Sequence, residues 1–147
     1  MKRSTMSAAT VLVVASVLLA ACGQGAADAA PDAEAVTLTE IGESEIQRVT
    51  LSASAAERLG VETVAVTADA DGGQLLIPYS ALIYDASGAT WTYTSPASLV
   101  YIRAEVEVEL IDGDSARLTT GPEAGTMVVA VGAAELWGAE TGGGGGH

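Results

Sequence analysis

Between Leu99 and Ile111 apolar and charged residues alternate. Ile102, Ala104, Val106, Val108 and Leu110 would point one way, and Arg103, Glu105, Glu107 and Glu109 the other. A period of two is that of a strand with one face buried, so the pattern predicts an acidic outer row over an apolar inner one. Asp112-Gly113 then predicts a hairpin turn, with Ser115 to Thr119 returning. Arg48 to Leu51 and Val61 to Val66 read as extended runs, as do Leu75 to Ile77 and Thr126 to Val131. Val61 to Val66 is expected in the same sheet system as Leu75 to Ile77, joined through the Asp71-Gly72-Gly73 turn. Ser80 to Tyr84 continues extended, Asp85 to Gly88 turns, and Ala89 to Thr94 returns with Trp91 and Tyr93 on one face. Ser52 to Gly60 reads as a short helix, with Ser52 or Ser54 as N-cap and Gly60 closing it. Gly121 to Gly125 is a turn and Ala133 to Trp137 a helical turn. The expected fold class is mainly β: a small antiparallel domain, barrel-like or sandwich, with one or two short helices.

The N-terminus follows another rule. Lys2 and Arg3 precede an apolar run from Ala8 to Leu19, too short for the ~20 apolar residues of a membrane anchor and suited to a signal peptide. Leu19-Ala20-Ala21-Cys22 follows, and it resembles the lipobox of bacterial lipoproteins. That resemblance implies cleavage between Ala21 and Cys22, and a Cys22 thiol carrying diacylglycerol and palmitate-like acyl chains. Cys22 is the sole cysteine of the chain. The alternatives are an ordinary secretory signal with a chance cysteine, or a buried thiol. Residues 1–21 are thus expected to be a signal peptide and 22–47 a flexible tether. Its Gly23 to Ala35 stretch lacks large apolar residues and, as coil, would reach roughly 20 Å. Residues 48–140 are expected to form the β domain, and 141–147 a glycine-rich tail.

Charge narrows the partners. Cleavage would remove both lysine-type and arginine-type charges of the signal, leaving four arginines against 19 acids, a net charge of −15. Such a surface is repelled by nucleic acid and by anionic headgroups, so attachment to a membrane would rest on acyl chains, at ~0.8 kcal/mol per buried methylene. No cysteine remains for a disulfide, and Phe is absent, so Val, Leu, Ile, Ala and a few Tyr and Trp must fill the core.

Three segments in order resemble the periplasmic adaptor proteins of efflux pumps, the membrane-fusion or HlyD-like family. Val49 to Ser52 with Arg58 to Val66 resembles the strand–helix–strand that begins the adaptors' membrane-proximal domain. Ile77 to Asp85 with Thr90 to Tyr93 resembles the re-entry into that domain. Val106 to Asp114, Gly121 to Gly132 and Ala133 to Leu136 resemble its C-terminal hairpin and closing strand. The adaptors carry barrel, lipoyl-like and usually α-hairpin domains between the first segment and the second; here only Thr67 to Gly73 lies there. The resemblance implies a membrane-proximal domain alone, on the extracytoplasmic face of the cell membrane (periplasmic in a diderm). It would be an accessory beside an inner-membrane transporter subunit. The other expectation is a stand-alone small-ligand-binding or structural lipoprotein, marked by a pocket ringed by Tyr84, Trp91 and Tyr101.

Chemistry on the chain is sparse. His147, the sole histidine, ends a glycine tail with nothing to orient it, so no catalytic residue is expected. No metal or cofactor site is expected either. Met127 lies in an apolar strand and reads as core, and Asp69/Asp71 and Asp112/Asp114 read as turn formers rather than calcium ligands. Glu105, Glu107 and Glu109 read as a solvated face, with a basic partner surface as the sharper alternative. Tyr79, Tyr84, Trp91, Tyr93 and Tyr101 read as the bulk of the core.

Overall fold

A computed structural model of the chain describes residues 35–70 and 73–142. Expectations for the signal peptide, Ala21, Cys22, Asp71, Gly72 and His147 fall outside these residues. The fold is mainly β, a nearly closed antiparallel barrel-shaped sheet with two helices. Ten strands run in chain order: β1 (Val36–Glu40), β2 (Gln47–Leu51), β3 (Glu62–Ala65), β4 (Thr67–Ala68), β5 (Leu75–Pro78), β6 (Ile83–Tyr84), β7 (Thr90–Ala97), β8 (Val100–Asp112), β9 (Ser115–Thr120) and β10 (Met127–Val131). Helix α1 (Ala53–Leu59) follows β2, and α2 (Ala133–Gly142) follows β10.

The sheet order is β3-β10-β7-β8-β9-β5-β4, with β2 also on β8, β1 on β2 and β6 on β7. The two ends of that order are consecutive in the chain, since β3 runs into β4 through Val66. One strand therefore bounds the sheet on both sides and brings it round on itself. The thirteen residues of β8 make this possible: its first half pairs with β2 and β7, its second with β9. Two cores result. One holds Val49, Leu51, Tyr93, Tyr101 and Val129 against Ala55 of α1 and Leu136 of α2; the other holds Val66, Ile77, Val106, Leu118 and Val128 inside the curl. Neighbours such as Val128 and Val129 are both buried because the sheet is covered on both faces there.

The local signals act as their chemistry dictates. The Ser52 hydroxyl accepts from the Ala55 N–H and caps α1, and Gly60 closes it in the left-handed region at φ 62°. The hairpins at Asp112-Gly113 and Asp85–Gly88 form, and Trp91 and Tyr93 share a face.

Several expectations are corrected. The span 22–47 is not a tether throughout. Val36–Glu40 pairs in register with Gln47–Leu51, because Val36 and Leu38, two residues apart, pack on the first core. The helical turn at Ala133–Trp137 continues to Gly142, past the expected boundary at 140, because Leu136 and Glu140, one turn apart, both face inward. Ser80 to Tyr84 starts not extended but in a 3₁₀ turn, Tyr79–Ala81, after Pro78. Val61 to Val66 does share a sheet with Leu75 to Ile77, as expected, but β3 itself pairs with β10, and only Thr67 and Ala68 reach β5.

The alternation in β8 holds at Val106, which is buried, and at Val108, half-buried against the second core, with Glu107 outside. It fails at both ends. Register shifts flank Val108, so Leu110 falls opposite Arg117 on the outer face and is 50% exposed, while Ile111 falls opposite buried Ala116. At the other end Arg103 turns inward, because α2 covers the face that the acidic row shares. Met127 is not core: it is 38% exposed at the start of β10. Tyr79 and Tyr84 are exposed as well, and only Tyr93 and Tyr101 are fully buried bulk.

Candidate functional site

Among the described residues, two places stand out for polar chemistry or open space. The first is a buried charge cluster under α2. The Glu140 side chain is 3% exposed and sits 3.0 Å from Arg103 Nε, whose own side chain is 11% exposed. The two Glu140 oxygens also accept from the Gln47 N–H at 3.1 Å and the Tyr93 hydroxyl at 2.5 Å. The Arg103 Nε contact is close but not aligned as a hydrogen bond, so the pair is held by charge and position. Arg103 Nη2 donates to the Glu45 carbonyl at 3.2 Å. Its guanidinium lies over the rings of Trp91 and Trp137, 4.7 and 5.1 Å from their centroids. Burial first, and then the bond to the Glu140 carboxylate, push the Tyr93 phenol well above the usual tyrosine range.

This cluster joins β2, β7, β8 and α2 in one set of contacts. Every charged group in it faces a partner on the chain, which is the arrangement of a structural clamp rather than of a site awaiting substrate. Sequence reasoning missed it because Arg103 lies in the acidic row and Glu140 was placed at the domain's end. The available signal was the i, i+4 spacing of Leu136 and Glu140, which puts the acid on the helix's buried face.

Beside it, Asp85 organises the β6–β7 turn. Its carboxylate accepts from the Ser87 hydroxyl at 2.6 Å, the Trp91 indole N–H at 2.9 Å, and the N–H groups of Ser87 and Ala89. These bonds, the Ser87 and Trp91 side chains foremost, lower its pKa to about 2. The pocket of Tyr84, Trp91 and Tyr101 that would mark the ligand-binding alternative does not assemble. Tyr84 pairs with Thr90 and so faces opposite to Trp91, whose ring lies against Arg103, while Tyr101 is sealed in the first core.

The second place is a groove of about 440 Å³ on the barrel's seam, lined among others by Val64, Ala65, Thr67, Leu76, Pro78 and Asp114. Here the ladder that closes the sheet stops short. Thr67 pairs with Leu76 and Ala68 with Leu75, and the Asp69 N–H donates to the Gln74 carbonyl at 2.9 Å. By alternation the next bonded pair would be Ala65 with Pro78, and proline has no N–H to give. The strands splay from that point.

The remaining candidates stay apart. Glu107 takes the Thr120 hydroxyl at 2.8 Å, Glu109 takes the Gln74 amide, and Glu105 is exposed; the row is a hydrated face tied to its own strands. The Asp69 carboxylate accepts from the Gly73 N–H at 3.1 Å, as a turn former does, and Asp112 pairs with Ser115 beside Asp114 at the β8–β9 turn. Among the described residues no three His, Cys, Asp or Glu side chains gather as a metal site would need, and no helix is long and apolar enough to cross a membrane. Comparison with known protein families, with curated proteins and with solved structures finds no match for this chain.

Proposed function

We propose that this chain is a lipid-anchored docking module, held through Cys22 on the extracytoplasmic face of the cell membrane beside a transmembrane efflux transporter. The observation that carries the reading is the β4–β5 hairpin. It stands where the adaptors that the sequence resembles carry their further domains. Here Thr67 and Ala68 pair directly with Leu76 and Leu75, so the barrel is built without any insertion. The mainly β fold agrees with a membrane-proximal domain used by itself. A domain of roughly 100 residues has a radius of gyration near ~12–13 Å, a size suited to contact at one membrane face.

The test is capture of the full-length, lipid-processed chain from membranes after crosslinking. A transmembrane transport subunit is expected among its partners. Cys22→Ala abolishes lipid labelling and releases the chain from membranes. Expressed in place of a complete adaptor, the chain fails to restore export, and in excess it lowers export by competing for the transporter. Restored export by the chain alone, or a Cys22→Ala variant still in the membrane after a high-salt wash, would refute the reading.

A further inference from the structure

The docking reading leaves open which surface meets the partner, and the seam groove answers it. The Val66 N–H donates to the Thr126 carbonyl and the Val66 carbonyl accepts from the Gly125 N–H, both at 2.8 Å, so Val66 and, by alternation, Val64 turn their backbone groups toward β10. Thr63 and Ala65 therefore turn theirs the other way, into the seam, where β3 pairs with no strand among the described residues. On the opposite wall the Tyr79 N–H donates to the Asp114 carbonyl at 2.8 Å, on the β9 side. Pro78 therefore presents its nitrogen toward Ala65. The proline withholds the one donor that would let β5 zip onward along β3. The groove between the splayed strands mixes apolar Val64, Leu76 and Pro78 with polar Thr67 and Asp114, and it is bounded by β3, which ends the strand order.

We infer that the free edge of β3 is a strand-addition site for an extended, basic segment of the docking partner. Main-chain bonds to Thr63 and Ala65 would supply affinity, and the groove would receive alternate apolar side chains of the added strand. Charge selects the partner's chemistry. Glu62 begins the edge strand and Asp114 lines the groove, while Arg117 sits one strand away, across from Leu76. The chain as a whole carries −13, which repels a second copy from the same edge and draws a cationic segment. This inference rests on the docking reading for its partner, but the edge itself can be tested alone.

The probe is a capped peptide of about six residues alternating lysine and valine, a usual strand length, titrated into the full chain with amide hydrogen exchange as the readout. Saturable binding with slowed exchange at Thr63 and Ala65 is expected. Methylating the peptide nitrogens that face the edge weakens binding about tenfold or more, since two main-chain bonds go. Replacing the lysines by glutamates does the same. Pro78→Val restores the missing N–H, closes the seam and lowers binding to a similar degree, with the fold confirmed by an unchanged exchange pattern in α2. Binding indifferent to the methyl groups and to Pro78→Val, or absent altogether, overturns the inference. So does a dimer of the chain with protection centred on Thr63 and Ala65, which would make a second copy the occupant. Failure of the two readings is separable. If the full chain captures a transporter and Pro78→Val captures it equally well, docking stands and the edge does not. If the peptide binds at the edge but no transporter is captured, the edge stands and the docking reading fails.

Discussion

Removing the carboxylate of Glu140 should destabilise the domain far more than its place near the end of α2 implies. Glu140→Ala leaves Arg103 as a cation without its counter-charge beneath two indole rings, and frees the Gln47 N–H and the Tyr93 hydroxyl. Breaking a buried ion pair from one side costs about 3–5 kcal/mol. Two features reduce that figure here. Arg103 keeps its bond to the Glu45 carbonyl and its contacts with both rings, and the last turn of α2 can open to admit water. The expected loss is about 2–4 kcal/mol, a large share of the ~5–15 kcal/mol that holds a domain of this size together. Replacing both partners, Arg103→Leu with Glu140→Leu, should cost clearly less than the sum of the single changes, because no charge is stranded. The assay is equilibrium urea unfolding followed by tryptophan fluorescence. Trp91 and Trp137 are the chain's two tryptophans, and both lie against Arg103, so the signal reports the cluster itself. A coupling energy below about 0.5 kcal/mol, the value of an exposed pair, would refute the argument that this cluster clamps α2 onto the sheet.

Other perturbations probe other links. Gly132→Ala should cost about 1–3 kcal/mol in the same unfolding assay, since Gly132 sits at φ 89° and an added Cβ would lie 2.9 Å from Val61 Cγ2. Val106→Asp should cost several kcal/mol by burying an unpaired carboxylate in the second core, while Glu107→Lys on the outer face should stay within about 0.5 kcal/mol; equal effects would refute the register of β8. Asp85 has a folded pKa of about 2, below its unfolded value near 3.8. Its contribution to stability is therefore present above pH ~4 and lost as pH falls toward 2, and Asp85→Asn should flatten the acid limb of a stability–pH curve over that window.

What could be read from the sequence was what depends on neighbours in the chain. Ser52 and Gly60 bracket α1 because capping is decided within one turn, and Asp112-Gly113 makes its hairpin because the glycine accepts φ 59° whatever surrounds it. Most of the strands were visible as alternating or extended apolar runs. The failures lie where a distant element decides. Alternation reports that a strand has an inside and an outside, but β8 crosses from one core to the other, and Arg103 is covered only because α2, thirty residues on, folds back over it. Leu110 misleads for a related reason, since a bulge shifts parity without a glycine to announce it. Val36–Glu40 follows an alanine-, aspartate- and glycine-rich stretch whose composition masked two side chains that pack against the core, Val36 and Leu38. The seam groove was beyond sequence reasoning, although Pro78 was its one legible sign: a proline at the end of a strand removes a donor, and only topology says whose acceptor goes without.

That proline ties the two main features of the fold together. Because β3 runs straight into β4, the sheet can come round on itself with a connection of a few residues, and the domain needs no inserted partner to complete its core. Full closure would need β5 to follow β3 past Leu76, and Pro78 stops it while starting the 3₁₀ turn Tyr79–Ala81, whose buried Ala81 fills the inside of the barrel. The proline that starts the turn carrying Ala81 into the second core thus also keeps the outer ladder from finishing. An edge only four residues long, begun by Glu62, is protected against pairing with its own acidic copies yet stays accessible to a strand of opposite charge. Self-sufficiency of the core and incompleteness of the ladder are therefore not in conflict. The first comes from the path of β3 into β4, the second from one missing N–H, and a domain whose proposed role is to dock needs both.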